Sequence, residues 1–174
     1  MSYYGTIAGG DDYHTARGNN AWVTADSGQK TAALIRASLF VDGLGQRRLP
    51  NMRFISLFPG VPTGGRAQEL AWPRTGASDM NGVAIDADTV PREVEQATYE
   101  GALREIVEPG SLSPDYRPGS VVKSERLDVI QTEYLPPVDT GDGKSPVRPV
   151  VTVVADLLAP VMTAASLTPW PLTV

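Results

Sequence analysis

Residues 27–42, SGQKTAALIRASLFVD, are the most regular stretch of the chain, and they set the expected fold class. Apolar side chains return there every three or four positions, which is the spacing of one face of an α-helix. Ser27 suits the N-cap of such a helix, and Gly43 suits the position just past its end. Lys30 and Arg36 are predicted to point away from the apolar face. That face comprises Ala33, Leu34, Ala37, Leu39, Phe40 and Val41.

A second helix is predicted over residues 91–107, opening with Pro91. Proline is tolerated in the first turn because the N–H that it lacks has no helical partner there. The small residues of the inner face would allow close helix packing. That face is predicted to hold Val94, Ala97, Thr98, Gly101, Ala102, Ile106 and Val107. The charged residues predicted to stay outside are Arg92, Glu93, Glu95, Arg104 and Glu105.

Shorter elements are predicted on either side of these helices. Residues 10–17 begin with acidic side chains and end with a basic one, which suits the helix dipole, and Gly18 closes them. The next residues form a turn, and a last helix is predicted over 150–159. Residues 120–135 alternate in places between apolar and polar positions, which predicts a β-hairpin with its turn near Leu127-Asp128.

The segment from 43 to 90 shows little helical periodicity, because prolines and glycines interrupt it. Two short apolar pieces, at 54–58 and 83–85, are predicted strands. A connection of this length is uncommon in a compact domain, and it suggests a segment with a function or one that a partner orders.

The fold class predicted from these segments is mainly α: a small helical bundle with a β-hairpin insertion and long Pro/Gly-rich loops. At 174 residues the chain has the length of one domain. We divide it into a helical domain over 1–135, a linker over 136–149, and a C-terminal helix with an apolar tail over 150–174.

Composition excludes several classes of function. The absence of cysteine excludes disulfides, thiolate metal sites and cysteine nucleophiles. The net charge of −5 argues against tight, sequence-independent binding of nucleic acid, which needs a basic face. No run approaches the roughly 20 apolar residues of a membrane span, and the N-terminus lacks the pattern of a secretion signal. We therefore expect a protein made in the cytoplasm, with no membrane partner.

No residue pattern predicts catalysis. His14 is the only histidine, so a metal cluster or a catalytic triad has no second histidine or cysteine, and a satisfied structural role is expected. Asp139-Thr140-Gly141 occurs once, whereas an aspartic protease needs two such loops. Gly143-Lys144-Ser145 lacks the earlier glycine of a phosphate-binding loop, and Pro146 blocks the helix that must follow. We predict no enzyme activity, no cofactor and no metal.

Candidate interface residues fall in three places. Arg47, Arg48 and Arg53 are the one basic cluster, which contacts either DNA or, as we favour, solvent or an acidic partner. Trp72 is either an interface anchor or, as we favour, a core residue that locks the long loop onto the bundle, while Arg74 is placed near a subunit boundary. The apolar tail after residue 160 is expected to dock either on a neighbouring subunit or on its own bundle. Its candidate residues are Leu167, Trp170 and Leu172.

Three patches of the sequence occur in a familiar order. The first is Asp12-Tyr13-His14, followed by Arg17-Gly18-Asn19 and Trp22. The second is residues 30–38, KTAALIRAS, and the third is residues 68–76, QELAWPRTG, ahead of the helix that Pro91 opens. This order resembles a family of small tailed-phage proteins labelled DnaT-like single-stranded-DNA-binding. By genomic and structural context, the resemblance places this family with head–tail connector proteins. The resemblance covers roughly residues 8–108, and the Leu-Ala-Trp-Pro-Arg run is its most specific part.

The resemblance implies a helical bundle with a β-hairpin insertion that assembles into a homo-oligomeric ring, commonly twelve-fold, under the portal. It implies no catalytic residues. We therefore expect a structural head–tail adaptor of the virion, with the portal protein and a tail or tail-terminator protein as partners and with genome DNA passing through the lumen without sequence-specific binding. The alternative is a single-stranded DNA-binding, primosome-like module, which needs aromatic platforms beside a cationic groove.

Overall fold

The computed structural model describes residues 2–48, 53–114, 122–124, 133–134 and 150–163. Within these ranges the chain is mainly helical, with a few short antiparallel strands. The helices are α1 (Ile7–Thr15), α2 (Asn20–Thr24), α3 (Ser27–Leu44), α4 (Arg92–Val107) and α5 (Thr152–Leu158). The strands are β1 (Gln46–Arg48), β2 (Phe54–Ser56), β3 (Val61–Pro62), β4 (Arg74–Thr75), β5 (Val122–Ser124) and β6 (Glu133–Tyr134). Single 3₁₀ turns lie at Gly65–Ala67 and Ala159–Val161.

The core forms between α3 and α4, with α1, α2 and α5 packed around them. Gly101 of α4 faces Ala37 of α3, and a Cβ atom added to Gly101 would lie 3.2 Å from the Cβ of Ala37. The predicted close approach of the two helices is thus confirmed, since a larger side chain at this point would force them apart. The apolar residues that fill the centre include Leu34, Val94 and Leu158.

The observed helix ends differ from the predicted ones where a side chain other than the predicted residue caps the helix. Asp26, and not Ser27, caps α3: its Oδ1 accepts from the backbone N–H of Gln29 at 2.9 Å, and Gln29 Oε1 accepts from the N–H of Asp26 at 3.0 Å. This reciprocal pair satisfies two N–H groups that have no helical partner. The helix continues through Gly43 to Leu44.

The predicted helix over 10–17 was placed too late. The observed helix α1 begins at Ile7, because Thr6 Oγ1 accepts from the N–H of Gly9 at 2.9 Å and caps it. The predicted turn at 19–22 is helical too, since α2 begins at Asn20. The last helix, α5, starts two residues later than predicted and ends one residue earlier.

Four side chains lie on the opposite side of their helix from the prediction. Lys30 is buried, and its Nζ binds Asp11 Oδ1 at 2.8 Å; Glu105 is buried where its carboxylate accepts from the backbone N–H groups of Gly110 and Leu112, just past the end of α4. Leu39 and Val107, predicted to face the core, are exposed. Lys30 and Glu105 have partners outside their own helix, so helical periodicity alone misplaces these two residues.

The strands form three two-stranded antiparallel pairs within the described residues. Strand β2 of the predicted 54–58 piece is confirmed for 54–56, and its partner β1 was not predicted. The predicted strand at 83–85 is wrong. The structure has only an isolated antiparallel β-bridge there, between Ala84 and Ser78. Strands β5 and β6 pair as the predicted hairpin requires. Its turn near Leu127-Asp128 and the linker over 136–149 lie outside the described residues.

Candidate nucleic-acid interface

Strands β1 and β2 form a two-stranded ribbon that we call the arginine arm, residues 46–48 and 53–56. In the register Arg47 pairs with Ile55, and Arg48 pairs with Phe54. The base of the arm is closed by the N–H of Leu57, which donates to the carbonyl of Gly45 at 2.8 Å. The arm therefore projects directly from the end of α3.

A buried ring anchors the base of the arm. Phe58 is almost fully buried and packs against the edge of Trp72, with 5.7 Å between the ring centroids. Gly45 makes room for it, since any Cβ at that position would overlap the Phe58 ring. Because the base is fixed to the core, the arm is held at a defined place on the molecule.

The arm carries positive charge and one aromatic ring at the surface. Arg47 and Arg53 are exposed, and the side chain of Phe54 is 62% exposed. The sequence from 43 to 68 contains four arginines and no acidic residue, although the whole chain has a net charge of −5. This segment therefore has a net charge of +4, and the rest of the chain has a net charge of −9 (−5 minus +4). Arg47 and Arg48 lie on β1, and Arg53 directly precedes β2, so all three belong to the same ribbon.

Phe54 is the residue that the sequence analysis missed as a candidate. It was assigned only to a short apolar strand. The signal that identifies it is its position directly after Arg53 in an acid-free segment, combined with the register that sets it opposite Arg48.

Trp72 and Arg74 lie inside the fold. Trp72 is buried, so the core interpretation is confirmed for it; the Trp72-Pro73 peptide bond is cis. Arg74 is only 3% exposed. Its guanidinium donates to the carbonyl oxygens of Pro59 at 2.6 Å, Gly60 at 2.7 Å and Ala71 at 3.1 Å. All of these acceptors belong to its own chain, and a role at a subunit boundary stays a prediction.

A buried carboxylate holds the Leu-Ala-Trp-Pro-Arg run against α3. Asp42 accepts hydrogen bonds from the hydroxyl of Tyr4 and from the N–H of Ala71, the latter at 2.9 Å. The hydroxyl of Tyr4 in turn accepts from the N–H of Trp72 at 3.0 Å. Burial raises the pKa of Asp42, and burial next to that carboxylate also raises the pKa of Tyr4. The most specific motif of the resemblance is therefore bound to the N-terminal segment and to α3.

The single histidine has a structural role. His14 is fully buried, with Nε2 3.1 Å from the carbonyl oxygen of Tyr99 and Nδ1 3.0 Å from the amide nitrogen of Asn19. These two bonds suit the neutral ring, in which Nε2–H donates and Nδ1 accepts. Burial lowers the pKa of His14, which favours the same form. The predicted satisfied histidine is confirmed.

The described residues offer no cluster of three histidine, aspartate or glutamate side chains suited to a metal ion. In the same part of the chain, no helix combines the length and the apolar character needed to cross a bilayer. Leu167, Trp170 and Leu172 lie outside the described residues, so their docking stays a prediction.

Almost the entire chain matches one family. A family model described as "Putative DnaT-like ssDNA binding protein" matches residues 2–169. The chain belongs to this family. No curated protein matches it, and no solved structure matches it. The expected membership of the DnaT-like family is thus confirmed, whereas head–tail connection stays a prediction.

In this DnaT-like protein the matched range extends well past the three patches quoted above, which cover roughly 8–108. It includes the arginine arm, the β5–β6 pair and α5.

Proposed function

We propose that this protein is a non-enzymatic single-stranded DNA-binding module and that the arginine arm holds the strand. The observation that carries the proposal is the exposed ring of Phe54 on a two-stranded ribbon with Arg47 and Arg53. A base can stack on an exposed aromatic ring, and arginines of the same ribbon can bind phosphates of the strand as it passes. The description of the family supports the same function.

The arm suits a single strand better than a duplex. Stacking on Phe54 needs a base whose face is free, and the bases of a duplex are already stacked on each other. The acidic remainder of the chain limits binding to the few phosphates that reach the arm, because it repels the rest of a polyanion. We therefore expect moderate affinity, a short footprint and a modest dependence on salt.

Fluorescence anisotropy of a labelled oligothymidylate of about 20 nucleotides tests this function. Phe54→Ala is expected to weaken binding by roughly 5- to 150-fold, which corresponds to a loss of about 1–3 kcal/mol of stacking. Three phosphate contacts predict a slope of about −2 for the logarithm of the affinity against the logarithm of the salt concentration. Removing Arg47 and Arg53 together is expected to lower the magnitude of that slope by about 1.4.

Arg66→Ala is the matched control for the arginine substitutions, because it removes one positive charge from an exposed position in the same acid-free segment but off the arm. It is expected to change the affinity far less than Phe54→Ala does. A duplex of the same length should bind more weakly than the single strand. The proposal fails if the wild-type chain shows no binding at low salt, or if the Phe54 and Arg66 variants behave alike.

A second candidate is the structural head–tail adaptor of a tailed phage. A ring built from head-to-tail contacts needs two different, mutually complementary interface surfaces on each subunit. Large apolar side chains are exposed on several separate elements of this chain: Val23, Leu39, Val61, Met80, Val83 and Val150. The resemblance to connector-associated phage proteins favours an assembly role, in which such side chains would supply contacts between copies. Portal and tail proteins would be the partners, and the genome would pass through the lumen.

Cryo-electron microscopy of purified particles of a phage that encodes this chain tests the adaptor function. We expect a closed ring of this protein, twelve-fold by the resemblance, between portal and tail. The same particles report on the first candidate, because a dedicated single-stranded DNA-binding protein would be found in infected cells and not in the mature virion. Absence from the particle would therefore reject the adaptor function and leave the DNA-binding function standing.

A further inference from the structure

A tight loop over residues 79–83 carries an Asn-Gly pair at the surface. The N–H of Asp79 donates to the carbonyl of Val83 at 2.9 Å and closes the loop. Asn81 and Gly82 lie between these two residues, and both are exposed. They form the only Asn-Gly pair in the sequence. The loop therefore presents to water two neighbouring residues that can react with each other.

An asparagine followed by glycine can lose its side-chain amide without an enzyme. The backbone nitrogen of Gly82 forms a bond to Cγ of Asn81, the bond from Cγ to the side-chain nitrogen breaks, and ammonia leaves with the proton of the Gly82 N–H. Water then opens the succinimide ring: its OH adds to one of the ring carbonyls, and its proton returns to the nitrogen. The product is aspartate or isoaspartate at position 81. Glycine favours ring closure because it has no side chain to hinder it.

Within the described part of the chain, no group holds the side chain of Asn81. Its backbone N–H is bonded, but its carboxamide has no hydrogen-bond partner among these residues. A Cβ atom added to Gly82 would meet no atom within 4 Å, so the space beside the attacking nitrogen is open. The carboxamide can therefore turn toward that nitrogen, and water can reach the ring that forms.

Asp79 nevertheless opposes the reaction, because it engages the backbone of the loop. The attacking nitrogen of Gly82 donates to the carbonyl oxygen of Asp79 at 3.0 Å. Oδ1 of the Asp79 carboxylate accepts from the N–H groups of Asn81 and Val83, each at 2.9 Å. An aspartate that bonds to the backbone ahead of it is typical of tight turns. Ring closure withdraws the nitrogen of Gly82 from its hydrogen bond, so the loop must open first.

We propose that Asn81-Gly82 is a site of spontaneous succinimide formation and that the Asp79 carboxylate sets its rate by holding the loop closed. The product changes this part of the surface, since either form adds a carboxylate near Asp79. Isoaspartate also lengthens the backbone by one carbon, next to Met80, whose N–H donates to the carbonyl of Pro160 at 2.7 Å. The inference does not depend on DNA binding, because the loop and the arginine arm share no residue.

Peptide mapping of the full chain by mass spectrometry, during incubation in mildly alkaline buffer, tests the proposal. Exchange of the amide NH₂ for OH at position 81 is expected to accumulate with time. Its rate is expected to rise with pH, because the nitrogen of Gly82 attacks after losing its proton. Asn19, Asn20 and Asn51 precede residues with a side chain and are expected to change far more slowly, so they serve as controls within the same sample.

The role of Asp79 is tested by removing its carboxylate. Asp79→Ala is expected to speed the reaction roughly 5- to 150-fold, because the two hydrogen bonds that the carboxylate accepts no longer oppose opening of the loop. Asp79→Asn keeps an oxygen acceptor without the charge and is expected to stay closer to the wild-type rate. Asp86→Ala is the matched control for charge, since Asp86 is exposed and its carboxylate accepts no hydrogen bond within the described residues.

The wild-type chain unfolded in urea gives the rate without any protection by the loop. The folded wild-type chain is expected to react more slowly than this limit, and Asp79→Ala is expected to approach it. An Asn81→Gln chain should show no change at this position, because a longer side chain closes a ring much less readily. No modification of the unfolded wild-type chain, equal rates in the folded and unfolded chains, or equal rates for Asp79→Ala and Asp86→Ala would each contradict the proposal.

Discussion

Replacing Arg74 by methionine is expected to lower the free energy of unfolding by about 3–5 kcal/mol, which would be among the largest losses that a single substitution causes in this chain. Methionine keeps an unbranched stem but removes every donor. The carbonyl groups of Pro59, Gly60 and Ala71 would then be left without the donor that now satisfies them, and each such loss costs about 1–3 kcal/mol. Urea unfolding, followed by circular dichroism, measures the effect.

Two further variants test whether the loss of stability comes from the missing guanidinium donors of Arg74. Arg74→Lys is expected to recover only part of the stability, because a single ammonium group cannot reach acceptors that a planar guanidinium joins on several sides. Arg66→Met removes an exposed arginine of the same segment and is expected to change the free energy of unfolding by less than about 0.5 kcal/mol. A loss below about 1 kcal/mol for Arg74→Met would show that water or rearranged loops replace the guanidinium.

Replacing Glu105 by alanine is expected to lower the free energy of unfolding by about 3–4 kcal/mol at neutral pH. Glu105 is 1% exposed. Its carboxylate accepts from the N–H groups of Gly110 and Leu112, each at 3.0 Å, and from Arg36 Nε at 2.6 Å. Without it, the N–H groups of Gly110 and Leu112 just past α4 lose their acceptor, that of Leu112 in a buried position, and Arg36 loses this partner.

The contribution of Glu105 depends on pH in a defined direction. Burial acts to raise its pKa, but the two backbone N–H groups and Arg36 outweigh it, so the pKa lies below the usual glutamate value of 4.5. A lowered pKa means that the stabilisation is fully present above pH 4.5 and is lost as the pH falls through the folded-state pKa. The stability difference between the wild-type chain and Glu105→Gln is therefore expected to shrink below about pH 4.5.

Comparing the free energies of unfolding of the wild-type chain and the Glu105→Gln variant at each pH removes the effects of other titrating groups. Asp42 acts in the opposite direction, because its raised pKa makes proton uptake favourable as the pH falls, but it is present in both chains. Urea unfolding at pH 7, 5, 4 and 3 gives the difference directly. A difference that stays constant down to pH 3 would show that the charge of Glu105 is not what stabilises this helix end.

The two long helices could be predicted from the sequence because their signals are local. Apolar spacing in α3 and the proline at the start of α4 operate within one segment, so the predicted and observed bounds differ by at most two residues. The start of α1 was missed because it contains Gly9 and Gly10, which disfavour a helix. Gly10 is required by a distant residue: a Cβ atom there would lie 2.6 Å from Cζ2 of Trp22.

The candidate site, too, was predictable where its signal is local and not where it depends on contacts between distant residues. Clustering of Arg47, Arg48 and Arg53 was visible in the sequence, but the ribbon that joins them to the exposed Phe54 requires a register that only the folded chain specifies. The rule that charged residues stay outside failed for Glu105, and Arg74, placed near a subunit boundary, is buried within its own chain. Their partners are backbone groups of loops whose course depends on the packing of the bundle.

By itself, then, the sequence determined where the long helices lie, that cysteine chemistry is excluded, and which segment carries a basic cluster without acidic residues. These properties depend on composition and on neighbours within a few residues. Only the tertiary structure decided which charged side chains are buried and which ring remains at the surface. The physical reason is that burial of a polar group is stable only when partners from distant segments satisfy it, and those partners come together only when the chain folds.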